Sequence, residues 1–224
     1  MPYWWNYIKY FFFLGSNWNF RLAAFIIWHD IKGEKKYHSY TTLIDDLSDS
    51  LPEQDWLHAS IYQPVNFYTV HRLFAHINEA DKNKAFADIG CGMGRLLAVA
   101  AAFGFKKVYG VDLSPTMIAD AEVQATYLQQ FYPNTQFEIH EAHAAEYYVP
   151  ADVGVIFLFN PFDHTVMDPF VMNLKTQLLS NPRPVKVLYA NPVCKDVWLN
   201  AGFKEVFHFK KMRLLEGSVL EYQP

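Results

Sequence analysis

The sequence predicts an α/β fold built on a parallel sheet, and three observations carry that expectation. Ala85 to Asp112, AFADIGCGMGRLLAVAAAFGFKKVYGVD, reads as strand, glycine loop, helix, strand. Val153 to Phe159, VGVIFLF, is a continuous apolar run, as a strand buried on both faces requires. Strand-like and helix-like segments alternate from Ala85 onward, the pattern that lays helices over a parallel sheet.

Ala85 to Ile89 is long enough for a buried strand. Gly90, Gly92 and Gly94 then alternate, and glycine lets a ligand approach the main chain closely. Arg95 to Phe103 is apolar nearly all round and suits a buried helix, with Gly104 as its stop. Lys107 to Val111 delivers Asp112 at a strand's carboxyl end, about 20 residues past the loop, where nucleotide-binding sheets hold ribose hydroxyls. The spacing departs from the dinucleotide pattern GxGxxG. The third glycine comes one residue early, and Arg95 stands in the expected place. Asp88, two residues before the first glycine, would repel a diphosphate and attract a cation.

Asp-x-Gly-x-Gly-x-Gly with an acid ending the next strand resembles the first motif and its partner in class I S-adenosylmethionine (SAM) methyltransferases. SAM carries an ammonium and a sulfonium, so the charges agree. The resemblance spans Lys84 to Tyr222. It implies a Rossmann-like fold: a seven-stranded mixed sheet with a closing antiparallel hairpin, here Lys204 to Lys210 and Arg213 to Glu221. It implies SAM as cofactor, held by Asp88, Gly90, Cys91, Gly92, Gly94, Asp112 and Leu113. At the end of the third strand, Gln136 to His140, it implies His143 with Ala144 at the adenine, Glu141 being the alternative to His143. Tyr62 belongs to a Tyr-x-Pro step that recurs in some lysine methyltransferases, where it helps close the SAM pocket; a packing role is the other reading.

Asn160-Pro161-Phe162 follows the VGVIFLF strand directly. It resembles the Asn-Pro-Pro-aromatic motif of amino methyltransferases, and more closely the Asn-Pro-Phe form of a bacterial group related to lysine methyltransferases. An amine attacking a sulfonium methyl must be held in line and stripped of water. The Asn160 amide oxygen and the carbonyl near Pro161 can accept its hydrogens, and Phe162 can wall the methyl channel. Phe162 where adenine-specific enzymes carry a second proline argues against a base target. The resemblance thus implies methyl transfer to nitrogen, with a protein lysine as one acceptor. Two alternatives stand beside it. One is a small-molecule O- or N-methyltransferase, with Asp163, His164 or His143 as base. The other is a non-catalytic SAM-binding scaffold at a membrane.

Residues 1–60 form an aromatic-rich extension and linker, and residues 61–224 the catalytic domain, in a chain of 224 residues. Met1 to Lys36 is crowded with Trp and Phe, yet its uncharged run from Tyr10 to Phe20 is too short to span a bilayer. Helices packing on the domain or on a second subunit are one reading. An interfacial helix pair is the other, with five basic residues against two acids. Tyr37 to Ser60 reads as a polar, acidic surface loop. Pro64 opens a helix carrying Val65, Tyr68, Phe74 and Ile77 on one face. Ser114 and Pro115 begin another, marked by Met117, Ala121, Ala125 and Leu128. Met167 to Leu179 is a third, and Val193 to Asn200 a fourth.

A net charge of −4 argues against non-specific nucleic-acid binding. Two cysteines, one inside the glycine loop, fit a reduced, cytoplasmic protein; membrane association stays open with the extension. His140 and His143 lack an evident third ligand, so no metal is expected.

Overall fold

The structure, a computed structural model, describes residues 4–42, 63–159 and 162–224. Two helices come first, α1 (Trp4–Asn17) and α2 (Phe20–Tyr37). They are followed by α3 (Phe67–Phe74), the single turn α4 (Glu79–Lys82), β1 (Ala85–Ile89), α5 (Arg95–Phe103) and β2 (Lys107–Asp112). Then come α6 (Pro115–Leu128), β3 (Gln136–Glu141), β4 (Val153–Phe159) and α7 (His164–Ser180). The chain closes with β5 (Val185–Ala190), α8 (Lys195–Asn200), β6 (Lys204–Lys211) and β7 (Leu215–Tyr222).

The seven strands form one sheet in the order β3-β2-β1-β4-β5-β7-β6. β3 through β5 are parallel; β7 runs antiparallel to β5 and to β6. The strand order reverses at β1, which lies between β2 and β4. In open α/β sheets that switch opens a crevice at the carboxyl ends of the strands.

Alternation along the central strands feeds two cores. Phe86, Val155 and Phe157 face α3, α5 and α6, packing with Phe74, Leu97 and Leu128. Ala87, Ile89, Ile156 and Leu158 face α7 and α8, packing with Met167, Phe170 and Trp198. A smaller cluster joins Tyr10, Leu14, Leu22 and Ile26 of the helix pair to Leu215 of β7. The N-terminal helices are thus packed on the domain.

Several segments depart from the sequence reading. Asn66, not Pro64, starts α3: its side chain accepts from Thr69 N at 2.9 Å, and Ile77 lies beyond the helix end. α7 begins three residues before Met167, because Asp163 caps it by accepting from Thr165 N at 2.9 Å. α8 begins at Lys195 rather than Val193. The hairpin turns through Met212 and Arg213, both left-handed, so β7 begins at Leu215 rather than Arg213. Tyr37 ends α2, and Ser39, Thr41 and Thr42 after it are buried rather than on the surface, while Tyr40 is exposed; residues 43–60 of the expected loop lie outside the described residues.

Candidate active site

The glycine loop leaves β1 and folds back under β2. Gly90, Gly92 and Gly94 all take left-handed backbone angles, φ 79°, 50° and 81°, which side chains disfavour. The N–H groups of Gly90 and Cys91 both donate to Val111 O, at 2.8 and 2.9 Å. A Cβ at Gly94 would stand 2.8 Å from Leu97, so the loop also fits closely against α5. The turn is therefore rigid before any ligand arrives.

Asp112 completes this frame. Its carboxylate accepts from Gly92 N at 2.8 Å and from Ser114 N at 3.0 Å. Burial nonetheless raises its pKa above the usual carboxylate value, against the backbone donors of Ser114, Gly92 and Leu113. Asp88 is more extreme. It is buried, and no described residue donates to its carboxylate. Burial first, and then the Asp112 charge, push its pKa well above the ordinary value. The two acids lie close enough to repel, and no described residue places a cation between them.

That imbalance is a test of the expected cofactor, and the residues fit it. A ligand with an ammonium and a sulfonium supplies the missing positive charge, and a diphosphate would worsen the repulsion. Asp88 and the glycine loop would hold the amino-acid end, and Asp112 the ribose. The Cys91 thiol points away from such a role: it is buried, lies 3.2 Å from where a Cβ on Gly110 would sit, and its pKa is raised by burial and both acids. Only the Cys91 main chain remains for contact.

At the end of β3, His143 accepts from Ala145 N through Nδ1 at 3.2 Å and caps a 3₁₀ turn over Ala144–Glu146. Ala144 is buried beneath it. Leu113 follows Asp112 in the bend before α6. Phe162 is half-buried against the core on the α7 side. Tyr62, Asn160 and Pro161 lie outside the described residues.

Sequence reasoning missed the residue that ties the site to the extension. Arg95, the first residue of α5, is 2% exposed. Its guanidinium lies 2.8 Å from Glu34 Oε1 and 3.3 Å from Asp30 Oδ2, both on α2. It also donates to Thr41 Oγ1 at 2.7 Å, Thr42 Oγ1 at 2.8 Å and Val65 O at 2.8 Å. Asp30 accepts in addition from Phe67 N at 2.9 Å, and Tyr7 OH donates to Glu34. Burial raises the Asp30 pKa to about 6, although Arg95 pulls it down. The available signal was the pair of acids spaced four apart in an otherwise apolar and basic helix.

A cavity of about 220 Å³ lies at the carboxyl ends of β4 and β5. Phe159 and Asn191 line it from the sheet, and Leu214, Leu215 and Glu216 from the hairpin turn. Leu14, Trp18, Leu22 and Ile26 line it from the N-terminal helices, and Pro64, Asn66 and Thr69 from the start of α3. Thr69 Oγ1 is buried there without a hydrogen-bond partner among the described residues. Glu216 is bound to His208 at 3.0 Å and Lys210 at 2.8 Å, and Lys210 first, then His208, hold its pKa below the usual value.

Residues 86–178 match the family model described as a methyltransferase domain. Among solved structures, the magnesium protoporphyrin IX methyltransferase of Synechocystis PCC 6803 with bound SAM superposes with a TM-score of 0.51. It is 17% identical, with 69% of this chain and 75% of that one covered. The ribosomal protein L11 methylase of Lactobacillus delbrueckii subsp. bulgaricus is also 17% identical, with a TM-score of 0.50 over 81% of this chain and 99% of that one. At such identities the superpositions establish the fold. The domain match, the fold and the paired acids agree with one another, and each is similar to what SAM-dependent methyltransferases carry.

Proposed function

We propose that the protein transfers a methyl group from SAM to an amine nitrogen, with Asn160, Pro161 and Phe162 forming the acceptor end of the site. The observation that carries this reading is the cavity at the end of β4, the strand that leads into those residues. Bound SAM supplies an electrophilic methyl. The chain's own residues hold the acceptor in line and exclude water, which is most of the work in such a displacement.

An amine attacks in its neutral form and needs no strong base, whereas a hydroxyl does. The candidate bases have other tasks. Asp163 caps α7, His164 pairs with Asp168 at 3.1 Å, and His143 caps the turn after β3. Glu216, the carboxylate lining the cavity among described residues, is held ionised by Lys210 and His208 and is a weak base. The apolar lining suits an acceptor with an aliphatic stem and an amine tip. A protein lysine side chain has that form.

The test is methylation of cell lysate with labelled SAM, followed by hydrolysis and separation of methylated amino acids. Label in N-methyl-lysine supports the reading, and base-labile O-methyl ester overturns it. Once an acceptor is in hand, Asn160→Ala is expected to lower turnover about 10²–10³-fold, by analogy with other oriented polar contacts to a transition state. SAM affinity should stay near wild type, since the contact belongs to the attack and not to cofactor binding. A wild-type rate would make Asn160 a turn residue.

A further inference from the structure

The packing of α1 and α2 on the domain leaves much of their aromatic surface outside. Trp4, Trp5, Phe12, Phe20 and Trp28 are all exposed, with Trp28 at 53% and Phe12 at 58%. Ring contacts join Trp4 to Trp5 and Phe12 to Phe20. The helices run antiparallel, as the Tyr7–Glu34 hydrogen bond shows at one end and the Phe12–Phe20 ring contact, 6.4 Å between centroids, shows at the other. On α2, Phe20, Ala24, Trp28 and Ile31 fall three or four residues apart along a single exposed stripe.

The charges on these two helices are sorted. Lys9, Arg21, Lys32, Lys35 and Lys36 are exposed. Asp30 and Glu34 are buried on Arg95. The outward side of the pair therefore carries basic residues alone, set beside indoles and phenyl rings; Lys32 Nζ lies 3.6 Å from the Trp28 ring centre.

We infer that this face docks on an anionic lipid surface, with α1 and α2 lying in the membrane interface. Indoles and phenyl rings enter the headgroup boundary while flanking lysines reach anionic headgroups. No helix among the described residues is long and apolar enough to cross a membrane, so the pair lies on the bilayer. A second copy of the chain is a poor occupant. A two-fold contact places the same patch against itself, and five cations would face five cations. The inference does not depend on which acceptor the enzyme uses.

The test is co-sedimentation of the full-length protein with vesicles of phosphatidylcholine alone or mixed equally with phosphatidylglycerol. Binding to the mixed vesicles, a blue shift of tryptophan emission and release by high salt are expected, with little binding to phosphatidylcholine alone. Lys32→Glu/Lys35→Glu/Lys36→Glu should weaken binding by roughly a hundredfold, since each basic residue near the surface contributes separately. Trp28→Ser should weaken it with the charges intact. Neither variant touches the cofactor residues, and SAM affinity reports that both are folded. Binding that is absent, or that survives charge reversal, overturns the inference. So does a lipid-free dimer dispersed by these substitutions, or RNA oligonucleotide binding tighter than vesicle binding.

Discussion

Asp88 and Asp112 set the chemistry of the crevice through burial. Protonated Asp88 has no charge to offer a cationic cofactor, so SAM affinity should rise as pH increases through its elevated pKa and level off above it. Without ligand the sign for stability is the reverse. The folded chain holds the Asp88 proton more tightly than the unfolded chain, so this group's contribution falls as pH rises from the ordinary carboxylate range through the raised pKa. Titration calorimetry at several pH values checks the first effect. Asp88→Asn should weaken binding and flatten the profile, and an unchanged profile would separate Asp88 from the cofactor. Asp112→Ala should weaken SAM by about 1.5–3 kcal/mol for each charge-assisted hydrogen bond lost. It also releases the N–H groups of Gly92 and Ser114, so loss of loop order is expected alongside.

Arg95 shows how one side chain fixes the relation of two elements. It joins α5, which begins at the end of the glycine loop, to α2 of the extension. Removing one partner of a buried ion cluster strands the others, at a cost of about 3–5 kcal/mol. Arg95→Ala is expected to lose stability in that range by urea denaturation. Replacing the three residues together, Asp30→Asn with Glu34→Gln and Arg95→Met, should lose less than Arg95→Met alone. A loss below about 1 kcal/mol for Arg95→Ala would mean the cluster is not buried as described. The sequence concealed this element contact for a physical reason. Glycine loops, caps and strand ends depend on neighbouring residues, so Gly90 to Gly94, Ser114-Pro115 and VGVIFLF were legible. Arg95 and Glu34 are 61 residues apart, and locally Arg95 stands out only as the residue where a dinucleotide pattern has its third glycine. α7 starts at His164 rather than Met167, because the Asp163 side chain caps it from outside the apolar run. The split of the N-terminal aromatics into buried and exposed sets needed the helix pairing itself.

At the scale of the whole molecule, strand order divides the crevice. β1, β2 and β3 end at the residues expected to hold the cofactor, while β4 and β5 end at the cavity roofed by the extension and the β6–β7 turn. The extension is thus both a wall of the cavity and, through its other face, the basic aromatic surface. The resemblance made the sheet and its closing hairpin legible, but the cavity draws its lining from segments far apart in the chain. Buried acids, set around a glycine loop, are expected to select a cationic cofactor. Titration calorimetry of the full-length protein with SAM and with NAD tests that selection most directly. Saturable binding of SAM and none of NAD is expected; tight NAD binding without SAM binding would contradict selection of a cation by Asp88 and Asp112.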